Sequence, residues 1–283
     1  SGRQQGPWLR HCPGPCWYPS VAALLPAPLT LGVRHFIHYE RDIMYISWGL
    51  CIDVEGFSAN YEHSEDRKTF AILALGELMS AIHRVGSKMY PGTSGKNYTD
   101  RLFAYQFGDG FLVSSDLCDT DATRPTAIAI ALMRHMIICG FATKAAIAIG
   151  EMSGINGCYP QPMRDAPDSR LNMGMGLMTT IPVMGTALTK AHKLGSRSSG
   201  ATLALDPALA SGQRPEGAVL CGANRTCVDW ISSEIDLVSE IASVSELKVA
   251  GRSSLVTHLS RYMQASPRPP ESWIASTLAC ITT

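Results

Sequence analysis

Two short segments of this chain set an aspartate beside a glycine where a strand should meet a turn, and they constrain the fold more than any other feature. The first is Cys51-Ile52-Asp53-Val54-Glu55-Gly56-Phe57-Ser58; the second is Tyr105-Gln106-Phe107-Gly108-Asp109-Gly110-Phe111-Leu112-Val113. If the two strands lie side by side, Asp53 and Asp109 converge at one end of a sheet. Two carboxylates at one point repel, so either one of them keeps its proton or a hard cation such as Mg²⁺ fills the gap. A divalent metal site is the expectation. The same residues also suit a tight strand-to-helix turn with a capping aspartate and no chemistry at all.

At 283 residues the chain is long enough for one large domain or a domain with substantial extensions. Its 24 basic residues balance 24 acidic ones, and no Lys/Arg cluster is long enough to track a phosphate backbone, so nucleic acid is not an expected partner. The longest later apolar run, residues 127–138, contains Arg134 and His135 and is too short to span a bilayer. The apolar residues 21–25 are followed by Pro26 and Pro28, which argues against a signal peptide. A soluble, non-membrane protein is expected. Nine cysteines, odd in number and scattered, read as thiols in a reducing cytoplasm, with Cys51 and Cys139 in apolar stretches. Cys12 and Cys16 beside His11 make half of a zinc pattern, without a second pair to complete it.

Residues 1–42 carry Pro, Gly and polar residues without a sustained period and read as a flexible N-terminal arm. Met44 to Asp53 reads as a buried strand, rich in aromatic and β-branched residues. Ser64 is a candidate N-cap for a long helix carrying Phe70, Leu73, Leu75, Leu78, Met79, Ile82 and Val85 at helical spacing, with Gly86 as its stop. Arg101 to Phe107 alternates as a strand does, and Gly108-Asp109-Gly110 turns it into Phe111-Leu112-Val113. A second helix runs from Thr123 to Ile138, a strand covers 145–149, a Gly-, Pro- and Met-rich loop occupies 153–181, and a helix spans 183–194. A strand at 201–205, a small helix after Asp206, and helices over 229–245 and 255–263 complete the reading. This order points to an α+β or α/β sandwich with helices on one sheet. The expected organisation is the arm, a catalytic domain over 43–215 and a C-terminal extension over 216–283 that packs on that domain or at a subunit contact.

Four segments together carry a family resemblance. Residues 52–58 resemble the first metal-binding motif of the class III nucleotidyl cyclases, and Phe107-Gly108-Asp109-Gly110 resembles the second. Residues 146–151 resemble the strand after the second helix, and residues 185–194 the helix bearing the transition-state residues. The resemblance covers about residues 44–210 and implies an α+β, ferredoxin-like sandwich with an antiparallel-rich sheet. It implies two Mg²⁺ or Mn²⁺ ions held by Asp53, Asp109 and the Val54 backbone. It also implies phosphate contacts from the turn Glu55, Gly56, Phe57 and Ser58, and a head-to-tail homodimer in which one subunit's aspartates meet the other's transition-state helix.

This chain departs from that family at informative places. Where the family has an asparagine and an arginine that contact the ribose and the transition-state phosphate, it has Thr189 and Lys193, with Arg197 a possible substitute. Lysine keeps the charge but lacks the planar fork that grips two oxygens. The residue four before the second aspartate, a lysine or glutamate in purine cyclases, is Tyr105, and the later base-recognition position falls near Pro182. Tyr105 takes up room that a purine needs, while Arg101 on the same strand face can hydrogen-bond a pyrimidine carbonyl and Tyr61 can stack on the base. The ordinary readings are a core aromatic, an exposed strand-end charge and a solvated helix face.

The combination resembles the compact bacterial pyrimidine cyclases of Pycsar anti-phage systems. That resemblance implies a cytoplasmic enzyme making cyclic UMP from UTP, or cyclic CMP from CTP, for a separate effector. A purine cyclase and a catalytically silent nucleotide-binding module are the competing expectations. A diguanylate cyclase or polymerase-palm relative is opposed by the absence of a Gly-Gly-Asp/Glu-Glu-Phe signature.

Overall fold

The computed structural model describes residues 44–89, 102–115, 121–165, 170–179, 181, 183–209, 215–221 and 226–281. The arm at 1–42 and Arg101 lie outside them.

Strand β1 (Tyr45–Val54) is the centre of the fold. Alternation along a strand sends successive side chains to opposite faces. Trp48, Leu50, Ile52 and Val54 are buried in the main core, while Gly49 and Cys51 face the other way. After a short helix α1 (Phe57–Tyr61), helix α2 (Glu65–Met89) leads to the hairpin β2 (Leu102–Phe107) and β3 (Gly110–Ser115), then α3 (Thr123–Ile138) and β4 (Thr143–Gly154). The four strands lie in the order β2-β3-β1-β4, and every neighbouring pair is antiparallel. Two split β-α-β units interleaved in this way are the ferredoxin-like arrangement. The fold is α+β, as expected from the order of elements.

The large-residue face of the sheet is covered by α2 and α3. Ser64 accepts a hydrogen bond from the Arg67 N–H at 3.4 Å, as an N-cap does. The buried stripe of α2 keeps the expected Leu78, Ile82 and Val85 and is completed by Ala71, Ala74 and Ala81, while Phe70, Leu73 and Met79 are exposed. Alanines let the helix approach its neighbours closely, and that contact outranks the larger side chains one position away. Gly86 does not end the helix, which continues to Met89; a glycine costs an interior turn only about 1 kcal/mol. Helix α3 is buried on nearly all sides because the sheet lies on one side of it and α2 and two later helices on the others.

The segment read as a loop over 153–181 is partly regular. It holds the end of β4, the short α4 (Gln161–Arg164) and a separate two-stranded hairpin, β5 (Arg170–Met173) and β6 (Gly176–Thr179), turning at Gly174 with φ +65°. Val183–Gly185 is a strand, β7, paired with β4, and only then does α5 (Thr186–Arg197) begin. The chain continues as β8 (Leu203–Leu205), parallel to β4, followed by a turn rather than a helix after Asp206. Strands β9 (Leu220–Cys221) and β10 (Cys227–Val228) extend the sheet beyond β8.

The helix expected from 229 starts only at Asp236 (α6, Asp236–Val244). The turn before it is held from two sides: Asp229 Oδ1 accepts N–H bonds from Ile231 and Ser232, and the Arg134 guanidinium donates to the carbonyls of Trp230, Ile231 and Ser233. Helix α7 (Arg252–Met263) and α8 (Glu271–Ala279) follow. Val228, Trp230, Ile241 and Leu255 belong to the same core as Trp48 and Leu50, so residues after 216 help to build it.

The cysteines are not all thiols, which corrects the reading from their scatter. Cys227 and Cys280, 53 residues apart, form a disulfide joining β10 to the end of α8. Folding, not spacing, brings them together. Among the described residues no helix is long and apolar enough to cross a membrane.

Candidate active site

Asp53 stands near the end of β1, between Gly110 on β3 and Lys144 on β4. Asp109 sits in the β2–β3 turn, where Gly108 adopts φ +63°, and its carbonyl accepts the Val54 N–H at 3.3 Å. The two aspartate segments are therefore joined at the sheet end, as the adjacent-strand argument requires. Gly110 is needed for this approach, since a Cβ there would fall 2.9 Å from the Ile52 carbonyl oxygen and onto the Asp53 side chain.

Burial pushes the Asp53 carboxyl up to about 7 against the pull of Lys144, with Asp109 and Glu55 adding to the rise. Its two oxygens differ. Oδ2 lies 3.6 Å from Lys144 Nζ, whereas Oδ1 is buried with no hydrogen-bond partner. A buried carboxylate oxygen without a donor, beside a second carboxylate, is the environment that a hard divalent cation satisfies. The residues present fit Mg²⁺ or Mn²⁺, with Asp53, Asp109 and the Val54 backbone as the available oxygens.

Glu55 is only 6% exposed and turns inward. Its carboxylate meets Lys144 Nζ at 3.5 Å and accepts a backbone bond from Gly200, while burial raises its pKa. Its own N–H is donated to the Ala142 carbonyl at 3.0 Å, so that group is not among the phosphate donors expected from the turn. The turn still offers Gly56, Phe57 and Ser58, which open α1, and the first N–H groups of a helix have no partners within it. Gly56 has φ +74°, a conformation that a side chain would strain, and a Cβ there would meet the Trp273 ring of α8 at 3.1 Å.

Lys144 and Trp273 were not anticipated. For Lys144 a signal exists: it is the charge at the start of an otherwise apolar strand, on the same face as Asp53 once the β1–β4 register is known. Burial tends to lower its pKa, but Asp53 and Glu55 outweigh that and hold the ammonium above its usual range. Trp273 lies 220 residues from Asp53, and no local pattern points to it.

The remaining expected residues are distributed over two surfaces. Helix α5 lays Ala187, Leu188, Ala191 and Gly195 on the sheet, so Thr189 and Lys193 stand on its exposed side. The Thr189 hydroxyl donates to the Thr186 carbonyl at 3.1 Å. Tyr105 is half-buried and packs with Phe103 and Leu112 against Met152, Val183, Ala187 and Leu188. Tyr61 stacks on Phe57 with 5.4 Å between ring centroids and lies under the Lys68 ammonium, so its contacts hold it to α1 and α2. Arg101 is outside the described residues.

Two groups of three ligand-type side chains gather within 4.8 Å among the described residues, both away from the aspartates: Cys221 with Cys227 and Cys280, and Glu77 with His135 and Cys139. The first contains the disulfide. In the second, His135 Nδ1 accepts the Lys248 N–H and Nε2 faces Glu77 at 2.7 Å and the Arg84 guanidinium at 3.1 Å, a hydrogen-bonded core histidine whose pKa burial lowers.

No protein-family model matches the sequence, and no curated protein matches it. Among solved structures, a bacterial light-regulated adenylyl cyclase aligns over 75% of this chain and 57% of its own, with 14% identity and a TM-score of 0.39. A class III adenylyl cyclase-like ATP-binding protein from Pseudomonas aeruginosa aligns over 79% of this chain and 44% of its own, with 11% identity and a TM-score of 0.40. This chain thus spans about half the length of each.

Proposed function

We infer that this protein is a class III-type nucleotidyl cyclase that converts a pyrimidine nucleoside triphosphate, UTP before CTP, into its 3′,5′-cyclic monophosphate and pyrophosphate. The observation that carries the reading is the pairing of β1 with β3, which joins Asp53 and Asp109 at one sheet end with Asp53 Oδ1 buried and unpartnered. In the reaction the ribose 3′-hydroxyl oxygen attacks the α-phosphorus and passes its proton to water, the bond from that phosphorus to the α,β-bridging oxygen breaks, and pyrophosphate leaves with that bond's electrons. When bound, Mg²⁺ or Mn²⁺ supplies the Lewis acidity that favours a 3′-alkoxide and offsets charge on the leaving group.

The chain's own residues supply the rest. Asp53 and Asp109 hold the cation at the end of a rigid sheet, and the start of α1 presents N–H groups to the phosphates. Thr189 and Lys193, on the outward side of α5, serve the site of a second copy: the Thr189 hydroxyl turns from the Thr186 carbonyl to donate to the ribose, and Lys193 adds positive charge at the α-phosphate. A head-to-tail homodimer is part of this reading, taken from the family resemblance, and the outward side of α5 is free to face a second copy. Tyr105 narrows the base pocket, which favours the smaller ring. We place the enzyme in bacterial anti-phage defence, signalling to a separate effector, on the resemblance described above.

The test is incubation of the purified protein with ATP, GTP, CTP and UTP separately in Mn²⁺, followed by mass spectrometry for a 3′,5′-cyclic monophosphate. Cyclic UMP as the dominant product is expected. Cyclic AMP or GMP would overturn the pyrimidine assignment, and no product from any nucleotide would replace the enzyme with a nucleotide-binding module.

A further inference from the structure

The resemblance implies two ions held by the same two aspartates, which leaves few carboxylate oxygens to share between them. Here Asp53 does not offer both of its own. Its Oδ2 is 3.6 Å from Lys144 Nζ, while Oδ1 alone is buried without a partner. The contact follows from the backbone, since Lys144 pairs with Asp53 across the β1–β4 ladder and the two share one sheet face. The lysine side chain is 20% exposed and also lies 3.5 Å from Glu55 Oε2. Glu55 is itself fixed by a backbone hydrogen bond from Gly200, so the ammonium is held between two carboxylates two residues apart at the end of β1.

We propose that Lys144 takes the place of one of the two divalent cations. The chain without nucleotide binds a single Mg²⁺ or Mn²⁺, through Asp53 Oδ1 and Asp109, while the Lys144 ammonium occupies the Oδ2 side as a built-in positive charge. This rests on the cyclase reading, which makes the two aspartates metal ligands. The Lys144 ammonium already stands against Asp53 Oδ2 and Glu55 Oε2, which leaves the unpartnered Oδ1 side for one divalent ion. A second ion on Oδ2 would sit against a like charge at contact range.

Lys144 is thus a positioning residue: it orients the Asp53 carboxylate and limits the number of ions. The test is a Mn²⁺ titration of the full chain without nucleotide, followed by the electron paramagnetic resonance signal of free Mn²⁺. Wild type is expected to bind one ion per chain. Lys144→Met is expected to bind two, the first tighter by about tenfold or more because a facing positive charge is gone. Lys144→Arg is expected to keep the count at one. Lys144→Gln, which also removes the charge but stays polar, is titrated beside the Met variant, and thermal unfolding reports that each is folded. Wild type binding two ions, or none, overturns the proposal, as does an unchanged count and affinity in the folded neutral variants. Product formation separates this result from the fate of the cyclase reading. A cyclic product from wild type with two ions per chain removes only the Lys144 role. One ion per chain, with no cyclic product from any nucleotide, removes the cyclase reading and leaves the Lys144 site standing.

Discussion

The two faces of the central sheet are built for opposite purposes from alternate residues of the same strands. On the α2/α3 face, β1 contributes Trp48, Leu50, Ile52 and Val54, and the partner strands add Phe111, Val113 and Ile147 to a continuous apolar core. On the α5 face the same strand contributes Gly49, Cys51 and Asp53, opposite Ala148, Ala146 and Lys144. The first face stabilises the fold by burying large side chains. On the second, β1 and β4 carry small residues under the helix, so α5 can lie against the backbone: a Cβ at Gly49 would fall 2.7 Å from the Ala187 carbonyl carbon. Just beyond the C-terminal end of that helix contact the small residues give way to the charged group. A sheet can therefore carry stability on one side and chemistry on the other only if its alternation is kept throughout.

The largest effect that tests this division is on activity. Asp53→Ala and Asp109→Ala should each reduce cyclic nucleotide formation below detection while leaving the melting temperature unchanged or higher, because each removes charge from a crowded end rather than packing from the core. Retained turnover in either variant would break the assignment of chemistry to the α5 face. Co-expression of Asp53→Ala with Lys193→Ala chains sharpens it further. If sites are shared between subunits, random pairing restores about a quarter of the wild-type sites, since only mixed dimers contain an intact one; mixing that restores nothing would sink the head-to-tail arrangement.

On the core face, Leu50→Ala should destabilise by about 2–5 kcal/mol through lost transfer and an unfilled cavity, read as a shift in denaturant midpoint. The α5 face should respond to the opposite change. Gly49→Ala, an enlargement, is expected to cost about 1–3 kcal/mol by pushing α5 off the sheet. A neutral Gly49→Ala would mean that the close contact is not a constraint.

The α5 face should also show a pH dependence of its own. Asp53 has its pKa raised by burial from 3.8 to about 7. Between those values the folded chain holds a proton that the unfolded chain has released, so this group's contribution makes stability fall as pH rises through that window. Asp53→Asn should remove this component of the slope. The same proton competes with metal, so Mn²⁺ affinity should increase as pH passes from about 6 to 8. Affinity that is flat over that range would argue against Asp53 as a ligand.

Much of this was legible beforehand because it is local. The alternation of β1, the Gly108-Asp109-Gly110 turn and the Ser64 cap are each set by residues within a few positions of one another. The same locality misled over 153–181, where glycine and methionine content spoke for a loop and the β5–β6 pairing had no apolar pattern to announce it. In α2, Phe70 and Leu73 fell on the expected helical spacing yet lie exposed, while Ala71, Ala74 and Ala81 join the expected Leu78, Ile82 and Val85 in the buried stripe.

By itself the amino-acid sequence determined the α+β order of elements and the two aspartate turns, since strand alternation, helix spacing and turn chemistry act over a handful of neighbouring residues. Only the tertiary structure decided what stands beside those aspartates. The β1–β4 register set Lys144 against Asp53, the close of the chain brought Trp273 onto the Gly56 turn, and the meeting of β10 with α8 joined Cys227 to Cys280. Those contacts link residues 53 to more than 200 positions apart. Their energy comes from burial and charge in three dimensions, which no local period in the sequence records.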